Sequence, residues 1–227
     1  MAELEFPTTS ALVTEAVDRL VVLLSSGDSS RKLRVLLTGG TLGIEFCRQS
    51  AKRGLDLSRV DFMFSDERFV SLDHQDRNEA QALEVWPALT ASLIRFPDAN
   101  QPLESAAHEF EQVLQASLGD LEDSDPMFDL TVLGMGPDGH IASLFPGHDT
   151  KGGWVLAEHD SPKPPSHRLS LSYQALNRSA RVWFLVSGAA KAEAVKSALS
   201  GKELPAGRVT GTLETIWFMD SELRRAL

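Results

Sequence analysis

Cysteine is almost absent from this chain: Cys47 stands alone among 227 residues, so no internal disulfide is available. Its neighbours Ile44 and Phe46 mark a packed thiol rather than a nucleophile. No apolar run approaches the roughly 18 residues that a membrane-crossing helix needs. The opening Met-Ala-Glu-Leu-Glu is acidic where a secretory signal would be basic and then apolar, so a cytoplasmic location is expected. Basic residues are in the minority, 22 Lys and Arg against 32 Asp and Glu. The resulting net charge of −10 repels nucleic acid and anionic membranes alike, and neither is expected as a partner. An anionic small molecule would need its own basic pocket. Linkers are missing too: no Pro/Gly/Ser-rich stretch, charge block, internal repeat or low-complexity segment divides the chain, so residues 1–227 read as one domain.

What is present is a regular alternation of strand and helix. Leu12, Val13, Ala16, Val17, Leu20, Leu23 and Leu24 recur at helical spacing over 10–25, with Gly27 as the stop. Arg34-Val-Leu-Leu-Thr38 predicts a strand, Gly39-Gly40 a turn, and 42–52 a helix ended by Gly54. Further strands are predicted at 60–64, 129–133, 154–157, 168–171, 182–186 and 214–218, and helices at 80–89, 105–118 and 189–199. Apolar strands alternating with helices predict an α/β fold, a doubly wound, mostly parallel sheet with helices on both faces. In such sheets ligands sit beyond the carboxyl ends of the strands. Attention therefore falls on Thr38-Gly-Gly-Thr41, Ser65-Asp-Glu-Arg68 and Gly134-Met-Gly-Pro-Asp-Gly-His140.

The turn at Gly39, Gly40 and Thr41 opens a helix, where free N–H groups and nearby hydroxyls suit a phosphate. A plain tight turn would need the same glycines. No Gly-Lys-Ser/Thr follows, so it is not a P-loop. Asp66, Glu67 and Arg68 put two carboxylates and a cation at a strand end, either as a site or as a solvated turn. The third segment matches G-x-G-x-x-G, with Glu158 at the end of the next strand. A dinucleotide cradle, however, requires a crossover helix, and only 141–145 precede the breaker Pro146-Gly147. Asp138 and His140 suit acid/base work instead: a neutral imidazole takes a proton from water, and a nearby carboxylate orients it. No G-x-S-x-G elbow or H-E-x-x-H zinc pair exists, and Asp138, His140 and His148 have only generic spacing for a metal. Arg168 and Lys191 are either the cations a phosphate requires or ordinary surface charges.

Taken in order, five segments carry a resemblance: Gly39-Gly-Thr41; Asp66-Glu-Arg68 with Asn78 downstream; Gly134-Met-Gly-Pro-Asp-Gly-His-Ile-Ala-Ser-Leu-Phe-Pro-Gly147; Lys163-Pro-Pro165 with Arg168; and Ser187-Gly188 with Lys191. From about Val35 to Val209 the chain resembles the 6-phosphogluconolactonases of the pentose phosphate pathway. The resemblance implies a Rossmann-like fold similar to that of the glucosamine-6-phosphate deaminases. It implies hydrolysis of 6-phospho-D-glucono-1,5-lactone to 6-phospho-D-gluconate, the second step of the oxidative branch. His140 would be the general base on water, oriented by Asp138, with Arg68 near the carbonyl oxygen or the substrate's anionic end. Gly39, Gly40, Thr41, Asp66, Arg168 and Lys191 would surround the phosphorylated substrate.

No metal or organic cofactor is implied, since water is the nucleophile and no electrons pass to a carrier. The expected partner is the phosphorylated lactone, and the expected assembly a monomer or weak homodimer. Deaminases of this superfamily look like Gly-His-Ile-Ala-Phe-Asn-Glu-Pro-Gly after the loop, and their Glu shuttles protons in ring opening. Phe145 stands here in its place, which favours the lactonase over an isomerase or deaminase. A non-catalytic sugar-phosphate sensor is a third alternative, but residues 1–33 hold one acidic amphipathic helix instead of a helix-turn-helix. The chain departs from the family pattern at Thr38-Gly-Gly-Thr-Leu-Gly43, where Ser-Gly-Gly-Ser-Thr-Pro is usual, and at Arg77, where a Ser usually precedes the Asn.

Overall fold

The computed structural model describes residues 1–26, 31–118, 121–122, 125–201 and 204–227. The strands are β1 (Ala2–Phe6), β2 (Leu33–Leu37), β3 (Val60–Phe64), β4 (Asp66–Arg68), β5 (Leu130–Gly134), β6 (Val155–Glu158), β7 (Arg168–Leu171), β8 (Arg181–Val186) and β9 (Glu214–Asp220). The helices are α1 (Thr9–Ser26), α2 (Gly40–Ala51), α3 (Asn78–Val85), α4 (Leu103–Leu118), α5 (Tyr173–Leu176), α6 (Ala192–Leu199) and α7 (Ser221–Ala226). None of the described helices is long and apolar enough to cross a membrane.

Six strands form one sheet in the order β1-β9-β8-β5-β2-β3, and every neighbouring pair in it is parallel. Covered on both faces, its strands can be apolar throughout, as β2 shows with all five residues buried. Right-handed crossovers dictate the layers. The β1-α1-β2 and β2-α2-β3 units step one way across the sheet, so α1 and α2 pack together on one face. The β8-α6-β9 unit steps back and lies on the other. Helix α1 buries Leu12, Val13, Ala16, Val17 and Leu20, the stripe its periodicity predicts; the expected stop at Gly27 lies outside the described residues. Cys47 is fully buried, and burial pushes its thiol up to about 12, so it is inert packing.

Three expectations need correction. The strands near 154–157 and 168–171 exist, but as β6 and β7 they join β4 in a separate three-stranded antiparallel sheet. Only residues 159–167 connect them, too few for the crossover that a parallel partner requires. The predicted helix over 80–89 is shorter and displaced: α3 ends at Val85, Trp86 turns out of helical geometry at φ −140°, and Pro87 starts a 3-10 turn. Finally, β1 was not expected at all. Its Glu3 and Glu5 alternate with Leu4 and Phe6, as an edge strand with one covered face should.

Ser65 hinges the two sheets. Its N–H donates to the Leu37 carbonyl of the parallel sheet at 2.8 Å, and its carbonyl accepts the Leu171 N–H of the antiparallel one at 2.8 Å. Winding leaves β5 leftward and β2 rightward, so the topological switch point falls between these two adjacent strands. The carboxyl ends of β2 and β5 open there into a cleft.

Candidate active site

The cleft has a volume of about 630 Å³ and is lined by residues from all five motif segments. Gly39, Gly40, Thr41, Asp66, Arg68, His140, Arg168 and Lys191 all reach it. Asp138 does not; it stands behind His140.

At the floor, the Gly134 N–H at the end of β5 donates to the Thr38 hydroxyl at 3.2 Å, tying the two strand ends together. Gly39 caps α2, and its side-chain-free face is filled by the Asn78 amide, so any Cβ there would collide with it. The first N–H groups of α2 lack intrahelical partners and point toward the cleft end of the sheet, where an anion would satisfy them.

The loop after β5 is wound tightly around His140. The Gly136 N–H donates to the His140 carbonyl at 2.9 Å, and Gly139 turns back at φ +83°. His140 Nδ1 meets Asp138 Oδ1 at 2.5 Å, and the same oxygen accepts the His140 backbone N–H at 3.3 Å. An ionised carboxylate can only accept, so Nδ1 carries the proton and Nε2 is left with a free lone pair. Burial opposes ionisation of Asp138, but the attraction of His140 when it is protonated and the hydrogen bonds it donates outweigh it and hold the carboxyl below its ordinary range. Gly136 is required by packing: a Cβ would run into the imidazole and the Asp138 carboxylate. On its other side the imidazole lies against Phe145, with ring centroids 4.8 Å apart. Phe145 in turn contacts His148, whose Nδ1 meets Glu158 at 2.9 Å. His148 is thus engaged away from His140, and β5 and β6, in different sheets without an intervening helix, form no dinucleotide-binding unit.

Between Gly139 and Phe145 the backbone strains: Ala142, on the cleft wall, adopts φ +47°. This turn delivers the Ser143 hydroxyl to Asp66 Oδ2 at 2.6 Å, while the Asp66 carbonyl accepts the Asn78 amide at 2.8 Å.

The cations come from the antiparallel sheet and from the segment after β8. Arg68 donates Nη1 to the Asp76 carbonyl at 2.6 Å. Arg168 donates Nε to the Pro165 carbonyl (2.7 Å) and Nη2 to the Lys163 carbonyl (2.9 Å), pinning the 163–165 strap over the cleft. Burial, reinforced by Arg68 and opposed by Asp66, lowers the Arg168 pKa. Lys191 is lowered by burial and by the neighbouring charge of Lys163, against Asp220.

Sequence reasoning missed several members of this site. Lys163 lines the cleft beside Lys191, although the sequence marks only the Lys-Pro-Pro motif that it opens. Thr9 lines it as well and donates to Asp220 Oδ2 at 3.0 Å; Asp220 Oδ1 accepts Gly188 N–H at 3.2 Å. Asp220 closes β9, and the strand-end rule applied to that last strand would have found it.

The chain matches the family described as glucosamine-6-phosphate isomerases/6-phosphogluconolactonase over residues 7–217. It is 36% identical to the 6-phosphogluconolactonase of Mycobacterium leprae over 235 residues, covering 96% of this chain and 94% of that one. It is 35% identical to that of Streptomyces coelicolor over 227 residues, covering 91% and 87%. Among solved structures, the 6-phosphogluconolactonase from Thermotoga maritima superposes with a TM-score of 0.83 at 29% identity, covering 97% of this chain and 99% of that one. A monomeric glucosamine-6-phosphate deaminase shares the fold, with a TM-score of 0.82 at 21% identity and full coverage of both chains.

Proposed function

The chain belongs to the glucosamine-6-phosphate isomerase/6-phosphogluconolactonase family, and within it we propose that this protein hydrolyses 6-phospho-D-glucono-1,5-lactone to 6-phospho-D-gluconate. The observation that supports the reading is the 2.5 Å contact of Asp138 with Nδ1 of His140, an imidazole that lines a cleft walled by cations and whose Nε2 is not engaged by that carboxylate.

In this mechanism His140 Nε2 takes a proton from water as the water oxygen bonds to the lactone carbonyl carbon. Asp138 fixes the tautomer and stabilises the imidazolium that forms. Arg68 stands near the oxygen on which negative charge develops. Collapse of the tetrahedral intermediate breaks the bond from that carbon to the ring oxygen, and the imidazolium returns its proton to the departing oxygen. The sum is one water consumed and one carboxylic acid and one hydroxyl produced. Lys191, Lys163 and Arg168, with the N-terminus of α2 at Gly39 to Thr41, hold the phosphate, and Asp66 accepts from a sugar hydroxyl.

Phe145 supports hydrolysis over isomerisation, because its ring offers no group to shuttle a proton at the wall beside His140. The test is acid release from the phosphorylated lactone, corrected for spontaneous opening. His140→Ala should lose about two to four orders of magnitude in kcat while unfolding cooperatively as the wild type does. Turnover in that variant at the wild-type rate would reject His140 as the base, and ammonia release from glucosamine 6-phosphate would move the protein to the other branch of its family.

A further inference from the structure

A buried carboxylate that no step above uses stands immediately before Arg68. Glu67 is 1% exposed, and its oxygens accept three backbone N–H groups. Oε1 takes those of Arg68 (2.7 Å) and Asn78 (2.7 Å), and Oε2 that of Glu79 (2.9 Å). Two of these belong to the first turn of α3, whose N–H groups have no intrahelical partner and whose dipole favours negative charge. The third is Arg68's own. Glu67 therefore bolts β4 to the start of α3 across the 69–77 loop, and the loop comes back to Arg68 through the Asp76 carbonyl.

Behind the carboxylate lies Arg77, fully buried. It donates to the carbonyls of Val70 (3.0 Å), Phe96 (2.9 Å) and Pro97 (3.2 Å) and to Glu79 (3.2 Å), with its Nε 3.9 Å from Glu67. Burial and the charge of Glu79 push the Glu67 carboxyl up to about 8, against the pull of its donors and Arg77. An ionisable side chain in so dry a place is expensive, and a well-packed apolar residue is often the more stable choice. What the carboxylate supplies is direction. Among the described residues, the Asp76 carbonyl is the sole hydrogen-bond partner of the Arg68 guanidinium, whose Nε is buried without one.

We propose that Glu67 is a positioning residue: by gathering the N–H groups of Arg68 and Asn78 onto one carboxylate, it holds the guanidinium and the amide in register on the cleft wall. The proposal rests on the reading that Arg68 faces the reacting end of the lactone.

The experiment is a double-mutant cycle on lactone hydrolysis, with thermal unfolding recorded for every variant. Glu67→Gln keeps size but sets an amide N–H₂ against a backbone donor. Its kcat should fall about 10- to 100-fold, more than its KM changes, in a protein that is folded at the assay temperature. In an Arg68→Ala background the same substitution should alter kcat by no more than about twofold, because no guanidinium remains to be aimed. If Glu67→Gln does not fold, Glu67→Asp, which keeps the carboxyl group and withdraws it by one methylene, is read in the same way. A full loss persisting in the Arg68→Ala background overturns the proposal, as does wild-type kcat in Glu67→Gln when Arg68→Ala alone is impaired. Wild-type kcat in Arg68→Ala alone instead rejects the placement of Arg68, and the proposal falls with it.

Discussion

Arg68 and Arg168 stand directly opposite each other in the antiparallel pair of β4 and β7. Like charges in that relation normally destabilise a sheet. The hydrogen bonds of both guanidinium groups go to backbone carbonyls, Asp76 for one and Lys163 and Pro165 for the other, and carbonyls orient a cation without neutralising it. No carboxylate is hydrogen-bonded to either guanidinium, and although Asp66 offsets part of the Arg168 charge through space, the remainder is available to an anion. Arg168→Ala should therefore raise KM for the phosphorylated lactone by about 10- to 100-fold, the worth of a charged hydrogen bond of roughly 1.5–3 kcal/mol, with kcat changed less. An unaltered preference for the phosphorylated over the unphosphorylated lactone would show that this cation serves another part of the substrate.

Gly136→Ala tests the packing around the base. The added methyl group occupies the space of the imidazole and the Asp138 carboxylate, so His140 must swing away. Activity should drop by at least about tenfold, since displacements near 1 Å are already costly, while circular dichroism and melting behaviour remain those of a folded protein. Full activity would mean that the loop adjusts and the imidazole is not held by Gly136.

Asp138→Asn separates tautomer from shape. The amide fills the same place but can present N–H to Nδ1, so kcat should fall by about tenfold or more with little change in KM. The substitution also has a signature in stability. The Asp138 carboxyl is held below its ordinary 3.8, so its contribution is fully present above that pH and disappears as acid titrates the folded protein. Acid unfolding of wild type and variant should accordingly converge at low pH and differ above it. A gap that widens on acidification would contradict the assigned sign.

Lys191 gives a prediction on the alkaline side. Burial and Lys163 depress it below its ordinary 10.5, so its charge is lost earlier than that of a free lysine. In the unliganded protein this loss relieves the fold, and stability rises through the window ending at 10.5. An anion reverses the preference, because it needs the ammonium. Binding of inorganic phosphate, followed by thermal shift or calorimetry, should weaken as pH climbs through that window and should be accompanied by proton uptake. Lys191→Met should bind more weakly and lose this part of the pH dependence; retention of it in full would assign the titration to another group.

The parallel sheet was legible in the sequence because its strands are short, apolar and separated by amphipathic stripes such as Leu12 to Leu20, a pattern set by local periodicity. The cleft was legible for a related reason: the chain leaves each central strand through glycines, and Gly39, Gly136 and Gly139 advertise close approach before any contact is known. What periodicity could not reveal is pairing. The alternation in Arg168 to Leu171 fits either kind of sheet, and only the brevity of the 159–167 connection decides for the antiparallel one. Nor does local pattern disclose partners far apart in the chain, such as Asp66 with Ser143, Thr9 with Asp220, or the carboxylate of Glu67 beneath α3.

The edge strand β1 has one neighbour in the sheet, β9, and almost all of the described sequence lies between them. Phe6 stacks on Phe218 with centroids 6.0 Å apart, the Ser221 hydroxyl donates to the Pro7 carbonyl, and Arg224 pairs with Glu3. Of the strands described, then, β1 is made before all the others yet can pair only once β9 has been made. It waits, unpaired, through synthesis of everything between, and contacts of such long range are the slow ones in folding. Because Thr9 borders the cleft and Asp220 holds both it and Gly188, this wall of the cleft is completed only when the β1–α1 segment meets the end of β9, so the cleft takes its shape as late as the sheet does.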